Sequence, residues 1–165
     1  MDHKVASILR GVGNHIRIYQ PIPFHATSNS SHGYKYSASS TLSGTQPYYA
    51  FQEDNNEWVS DRRGASSWIM VELPSPCKVW KLELRGRIGT QGENFDEVLL
   101  RGSHDKSDWT TLLSVSENID GSAIREFEIP PYTTAFRNYS LYFPNSQGKQ
   151  LGLSLIRLYA IGDIV

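Results

Sequence analysis

The sequence predicts an all-β chain folded as an antiparallel β-sandwich, and three observations carry that expectation. Short segments alternate apolar and polar residues with a period of two, as half-buried strands do. Clusters of Gly, Pro, Asn, Asp and Ser separate them at regular spacing, as in sandwiches and barrels. No long segment carries the 3.6-residue period of an amphipathic helix. A chain of 165 residues, 39% of them hydrophobic and 20% charged, suits one globular domain with a real core.

Taken in order, residues 5–10 are compatible with the start of either a helix or a strand, and Gly11 and Gly13 stop them. Residues 16–19 alternate as a short strand before Pro21 and Pro23, and residues 27–33 form a polar, turn-rich stretch. Residues 1–33 therefore read as an N-terminal arm and linker, and residues 34–165 as the sandwich. Tyr34, Tyr36 and Ala38 alternate in its opening strand. Residues 67–73 place Ile69, Val71 and Leu73 on one face. Residues 79–85 read as a separate strand, with Trp80, Leu82 and Leu84 on one face and Lys81, Glu83 and Arg85 on the other. Residues 97–101, 109–113, 125–129, 138–143 and 153–161 continue the series. About eight strands are economically arranged as two stacked sheets. Trp58, Trp68 and Trp109 are expected to anchor the core, because large aromatics are usually buried.

Composition narrows the function. The net charge of -1 provides no positive field for a phosphate backbone, so nucleic acid is not an expected partner. Cys77 is the lone cysteine, which rules out an internal disulfide and a cysteine-based zinc site and points to a reducing compartment. The apolar run at residues 5–9 is too short for a secretory signal or a membrane span. Catalysis is not expected. Ser103, His104 and Asp105 spell a hydrolase triad, but neighbours in sequence cannot converge as a proton relay, so they read as a turn. His3, His15, His25, His32 and His104 lack metal-ligand spacing. Gly11 and Gly13 lack the strand and the Lys-Ser/Thr of a phosphate loop.

Four segments in order carry a resemblance: Ser39 and Ser40 with Ala50, Phe51 and Trp58; residues 67–73 around Trp68; Gly102 and Ser103 with Asp105 and Trp109; and the closing Leu155, Ile156, Arg157, Leu158 and Tyr159. Over roughly residues 27–162 the chain resembles the discoidin, or coagulation factor V/VIII type C, domains, with their galactose-binding-like jelly roll and their carbohydrate-binding relatives. Residues 27–34 and 37–40 are similar to the entry of discoidin-like domains in bacteriophage tail fibres and virion proteins.

The resemblance implies a non-catalytic module that binds a cell-surface glycan at one loop end, displayed on a virion surface and otherwise cytoplasmic. The arm would contact virion protein neighbours or a second copy of the chain. The alternatives are a structural or adaptor virion protein that binds only protein neighbours, and an intracellular scaffold domain. Sugar recognition needs converging donors and acceptors, and Arg62, Arg87, Asn94, Asn145 and Gln147 lie in loops that the resemblance places at that end. Tyr48 or Tyr49 is a candidate stacking platform. Those loops are polar, with Ile88 as their one apolar spike, so membrane insertion is not expected. Many carbohydrate-binding relatives hold a structural calcium where Gln52, Glu53 and Arg157 stand here. An arginine brings the wrong charge for calcium, so that site is expected to be absent, with Arg157 either paired to Glu53 or Asp54 or solvated. Residues 54–57 leave a different calcium geometry open.

Overall fold

Alternating β-branched and aromatic residues favour extended backbone, and the segments that carry them form strands. The computed structural model describes residues 7–10, 16–61, 66–89, 94–130, 134–146 and 148–164. In chain order the strands are β1 (Ser7–Arg10), β2 (Ile16–Pro21), β3 (Ser30–Ser31), β4 (Tyr34–Ala38), β5 (Trp58–Val59), β6 (Ser67–Gly86), β7 (Val98–Ser103), β8 (Thr110–Val115), β9 (Arg125–Glu128), β10 (Phe136–Phe143) and β11 (Gly152–Ile164). A 3-10 turn, Pro47–Phe51, lies between β4 and β5, and there is no α-helix among the described residues.

The strands make two antiparallel sheets. One has the order β3-β4-β6-β10-β7-β8, and the other β1-β2-β11-β6-β9 with β5 beside the start of β11. β6 belongs to both, which corrects the reading of residues 67–73 and 79–85 as separate strands. Pro74 and Pro76 cannot donate to a ladder, yet their fixed φ suits extended chain. The strand therefore continues through an exposed corner and changes partners, with a register shift against β10 between Phe136 and Asn138. Strands that switch sheets make the corners of many sandwiches. There are 11 strands among the described residues: of the eight spans read in the sandwich two merge into β6, the short strand read at residues 16–19 is β2, and β1, β3 and β5 are additional.

The core follows the pleat. Ile69, Val71 and Leu73 are buried, as are Leu141 and Tyr139 of β10, which pair with Ile69 and Val71. The second sheet contributes Leu82, Leu84, Leu153, Ile156 and Leu158. Trp58 is fully buried, donates from Nε1 to the Ser40 carbonyl at 3.0 Å and lies 6.4 Å from the Phe143 ring. A void of about 10 Å³ between the sheets, lined by residues such as Phe51, Ile69, Leu100 and Ile156, holds at most about one water.

Two tryptophans depart from the expected core role. Trp68 and Trp109 are only half-buried, and Trp68 alternates with the core residues Ile69 and Val71, which puts it on the outer face beside Tyr142. Trp80 is half-buried as well and packs edge-on against Tyr159, 6.1 Å between ring centroids, next to the register shift at Tyr159 and Ala160. At the N-terminus, β2 pairs with β11 from Tyr159 to Ile164, and Ile22, Phe24 and Ala26 join the core. Residues 1–33, the stretch read as arm and linker, thus contribute β1, β2, β3 and three core residues to the sandwich.

Candidate functional site

The loops that follow β6 and β10 meet at one rim of the sandwich. Arg87, one residue beyond β6, donates from Nη1 to the Gln150 carbonyl at 3.4 Å and lies with Nε 3.9 Å from a Glu57 oxygen. The other Glu57 oxygen accepts the Ile88 amide at 3.1 Å. Across the rim, Lys149 Nζ donates to the Asn94 carbonyl at 3.2 Å, and the Lys149 amide closes a turn onto Ser146 at 3.0 Å. Glycines make this close approach possible. A Cβ on Gly121 would stand 2.1 Å from the Arg87 carbonyl oxygen, and one on Gly152 would stand 2.7 Å from both Arg87 Cγ and the Trp58 carbonyl. Side chains at either position would push the Arg87 loop off the sheet.

Of the five sequence-predicted site residues, the structure brings Arg87 and Asn94 to this rim through their contacts with residues 149 and 150. Asn145 is exposed in the loop that carries Lys149. Arg62 and Gln147 lie outside the described residues. Sequence reasoning missed Glu57 and Lys149. Glu57 reads in sequence only as the end of a polar, acidic run, and nothing local shows that it crosses to β6. Lys149 sits in one of the loops expected at the site, and its cationic side chain is a usable signal. Tyr48 and Tyr49 pack edge-to-face on each other at 4.9 Å, and Tyr48 also leans on the core. Ile88 is 40% exposed at the rim.

The rim offers both hydrogen-bond signs. Arg87 and Lys149 donate only, Glu57 accepts only, and Asn94 and Asn145 do both. This mixture suits ligands whose groups also donate and accept, as hydroxyls do.

Where the resemblance puts a calcium, the residues present do not fit a metal cation. Arg157 donates from Nε to Glu53 and from Nη1 to Glu83, both at 2.7 Å, so two carboxylates are occupied by a guanidinium. Of the two alternatives for Arg157, the pair with Glu53 is the one realised. Burial works against the Arg157 charge, but the hydrogen bond and charge of Glu53, with the charge of Glu83, hold it above its ordinary range. Alternation puts Glu83 on the polar face of its strand, yet it is 4% exposed. The segment after the 3-10 turn lays Glu53 and Asn55 against this face, and alternation alone does not reveal such a cover. Lys81 lies 3.5 Å from Glu83 and 3.4 Å from Glu126, completing the charge ladder. In residues 54–57, Asp54 accepts the Asn56 amide at 3.2 Å and Asn55 accepts from Arg85 at 3.0 Å. Among the described residues no group of three His, Cys, Asp or Glu side chains is placed to hold a metal.

The triad letters form a turn, as expected. Ser103 Oγ donates to Asp105 at 3.1 Å, and the same Asp105 oxygen accepts the amides of Ser107 and Asp108 at 2.9 Å. Its carboxyl is held below the ordinary range by the amides of Asp108 and Ser107 and then by Ser103. His104 lies against the Phe136 ring, 4.9 Å between centroids, so the three side chains serve the turn and the packing around it.

The fold is an antiparallel β-sandwich whose loops after β6 and β10 touch at one rim. The F5/8 type C domain model matches residues 26–151, and the chain belongs to that family. No curated protein matches it in sequence. Solved structures share the fold at low identity. A carbohydrate-binding module, CBM32-5, of a Clostridium perfringens enzyme, in complex with GalNAc-β-1,3-galactose, is 16% identical over 76% of this chain and 94% of that one, with a TM-score of 0.65. Chitosan-binding module 1 of a chitosanase/glucanase from Paenibacillus sp. IK-5 is 18% identical over 77% and 95%, with a TM-score of 0.64. An F5/8 type C domain from Bacteroides fragilis is 15% identical over 86% and 95%, with a TM-score of 0.66.

Proposed function

We propose that this protein is a non-catalytic recognition module that binds a neutral or amino glycan at the rim formed by Arg87, Asn94, Asn145 and Lys149. The observation that carries the reading is the convergence of Arg87, Glu57, Asn94 and Lys149 on one edge, held by the close approaches at Gly121 and Gly152. Family membership supports it, as do the solved relatives, one in complex with a galactose-containing disaccharide and another a chitosan-binding module. Arg87, Glu57 and Lys149 are already held by hydrogen bonds or an ion pair, so binding through them carries little ordering cost. Affinity per site is expected to be weak and to be raised by multivalent display.

The test is a glycan array followed by calorimetric titration of the best ligand. Arg87→Ala is expected to weaken binding roughly tenfold to a hundredfold, the range for losing hydrogen bonds to a charged group. An array without glycan binding, or an unchanged Arg87→Ala, would refute the reading. The setting we propose is a virion surface, supported by the resemblance of residues 27–34 and 37–40 to the entry of virion-protein domains. Recovery of the chain in purified virus particles is the corresponding check.

A further inference from the structure

We infer that Arg101, Trp109 and Tyr142 form a second ligand site, on the outer face of the sheet that holds β10, β7 and β8, and that it takes the carboxylate of an acidic sugar. Arg101 sits in β7 opposite Ser140 of β10, alternating with the core residue Leu100. Its Cζ lies 4.2 Å from the centroid of the Tyr142 ring and 5.2 Å from that of Trp109. Both are cation–π distances. Such contacts leave guanidinium N–H groups for hydrogen bonds, and their edge matches the two oxygens of a carboxylate.

Among the described residues that edge has no partner: Arg101 Nε is buried without a hydrogen bond, and no carboxylate pairs with the side chain. The cations of the charge ladder are paired, Arg157 with Glu53 and Glu83, and Lys81 with Glu83 and Glu126. A partly desolvated charge left without a counter-ion is unfavourable. Burial accordingly draws the Arg101 guanidinium below its ordinary range, although arginine remains charged. A ligand anion completes the arrangement. The surroundings favour a sugar as its carrier, because Trp68 is opposite Tyr142 and Met70 opposite Ser140 on the same face, both half-buried, which gives a C–H-rich ring an apolar seat. The site differs in chemistry from the rim, where Glu57 stands beside Arg87 and would repel a carboxylate.

The probe is a galacturonic acid trimer, with a neutral galactose trimer, a sulfated galactose trimer and an acidic peptide as comparisons. The uronate is expected to shift the Arg101 Nε–Hε resonance of the unaltered protein and to quench tryptophan fluorescence. Arg101→Lys, which keeps the charge and loses the fork, should bind it at least tenfold more weakly, read from tryptophan quenching, whereas Arg125→Ala, on β9 of the other sheet, should bind it as the unaltered protein does. An unmoved Arg101 resonance, binding of the uronate by Arg101→Lys as tight as by the unaltered protein, or an equal shift of the Arg101 resonance by the neutral trimer overturns the site. Tighter binding of the sulfated trimer or the peptide through Arg101 overturns the assignment of its ligand.

Discussion

Arg157 joins two carboxylates that would otherwise repel each other across β6 and the segment after the 3-10 turn. Its side chain is 12% exposed and that of Glu83 5%, so removing either leaves a charge in a poorly solvated place. Arg157→Ala is expected to cost about 3–5 kcal/mol in urea unfolding. Replacing both Arg157 and Glu83 with Met should recover most of that loss, since the charges left behind are Glu53, whose side chain is 37% exposed, and Lys81, which keeps Glu126. Chelator should leave the melting temperature of the unaltered protein unchanged. This pair was half legible in the sequence: an arginine where relatives need an acid suggests an internal cation, and Glu53 stands in the matching segment as its partner. Glu83 was not legible, because alternation assigns a residue to a face but does not say whether a loop covers it. The outward placement of Trp68 was legible from its parity with Ile69 and Val71, although the general burial of tryptophan points the other way.

At the scale of elements, the loop after β6 owes its position to glycines on neighbouring segments. Gly121→Ala brings a Cβ against the Arg87 carbonyl, and no flexible side chain can give way there. The expected result is a loss of about 1–3 kcal/mol together with loss of glycan binding, measured by thermal unfolding and titration of the same sample. The strands themselves were largely readable: β4, β7, β10 and β11 lie within a few residues of their predicted spans, because a half-buried strand writes its period into the sequence. The unbroken β6 and the pairing of β2 with β11 were not readable. Prolines ordinarily mark breaks, and the pairing joins segments far apart in the chain, which no local pattern encodes. The loop site was legible in kind, as polar residues between strands. Which loops meet depends on register and on the glycine contacts.

For the whole molecule, stability should have a plateau bounded by two titrations. On the acid side, Glu72 is held below the ordinary carboxylate range by its hydrogen bond to Lys106, Asp105 by backbone amides and Asp120 by Ser122. Their pKa values are lower folded than unfolded, so the unfolded chain binds more protons in acid. The stabilisation is complete above the unfolded value, about 4, and is lost as pH falls through the folded values. On the alkaline side, burial and then Glu83 push the Tyr159 phenol from 10.0 up to about 12, and Tyr36 and Tyr139 are raised by burial as well. That contribution is complete below pH 10 and lost as pH rises through about 12. Melting temperatures measured from about pH 2 to about pH 12 should therefore fall at both ends. A flat profile would contradict these placements.

Recognition at the rim is tested most directly by titrating the isotope-labelled protein with the best glycan from the array and mapping the amide resonances that move. The prediction is a contiguous set around Arg87, Ile88, Asn94, Asn145 and Lys149, which in Arg87→Ala moves only at roughly tenfold to a hundredfold more glycan. Movement confined to the opposite end of the sandwich, or none at saturating glycan, would contradict it.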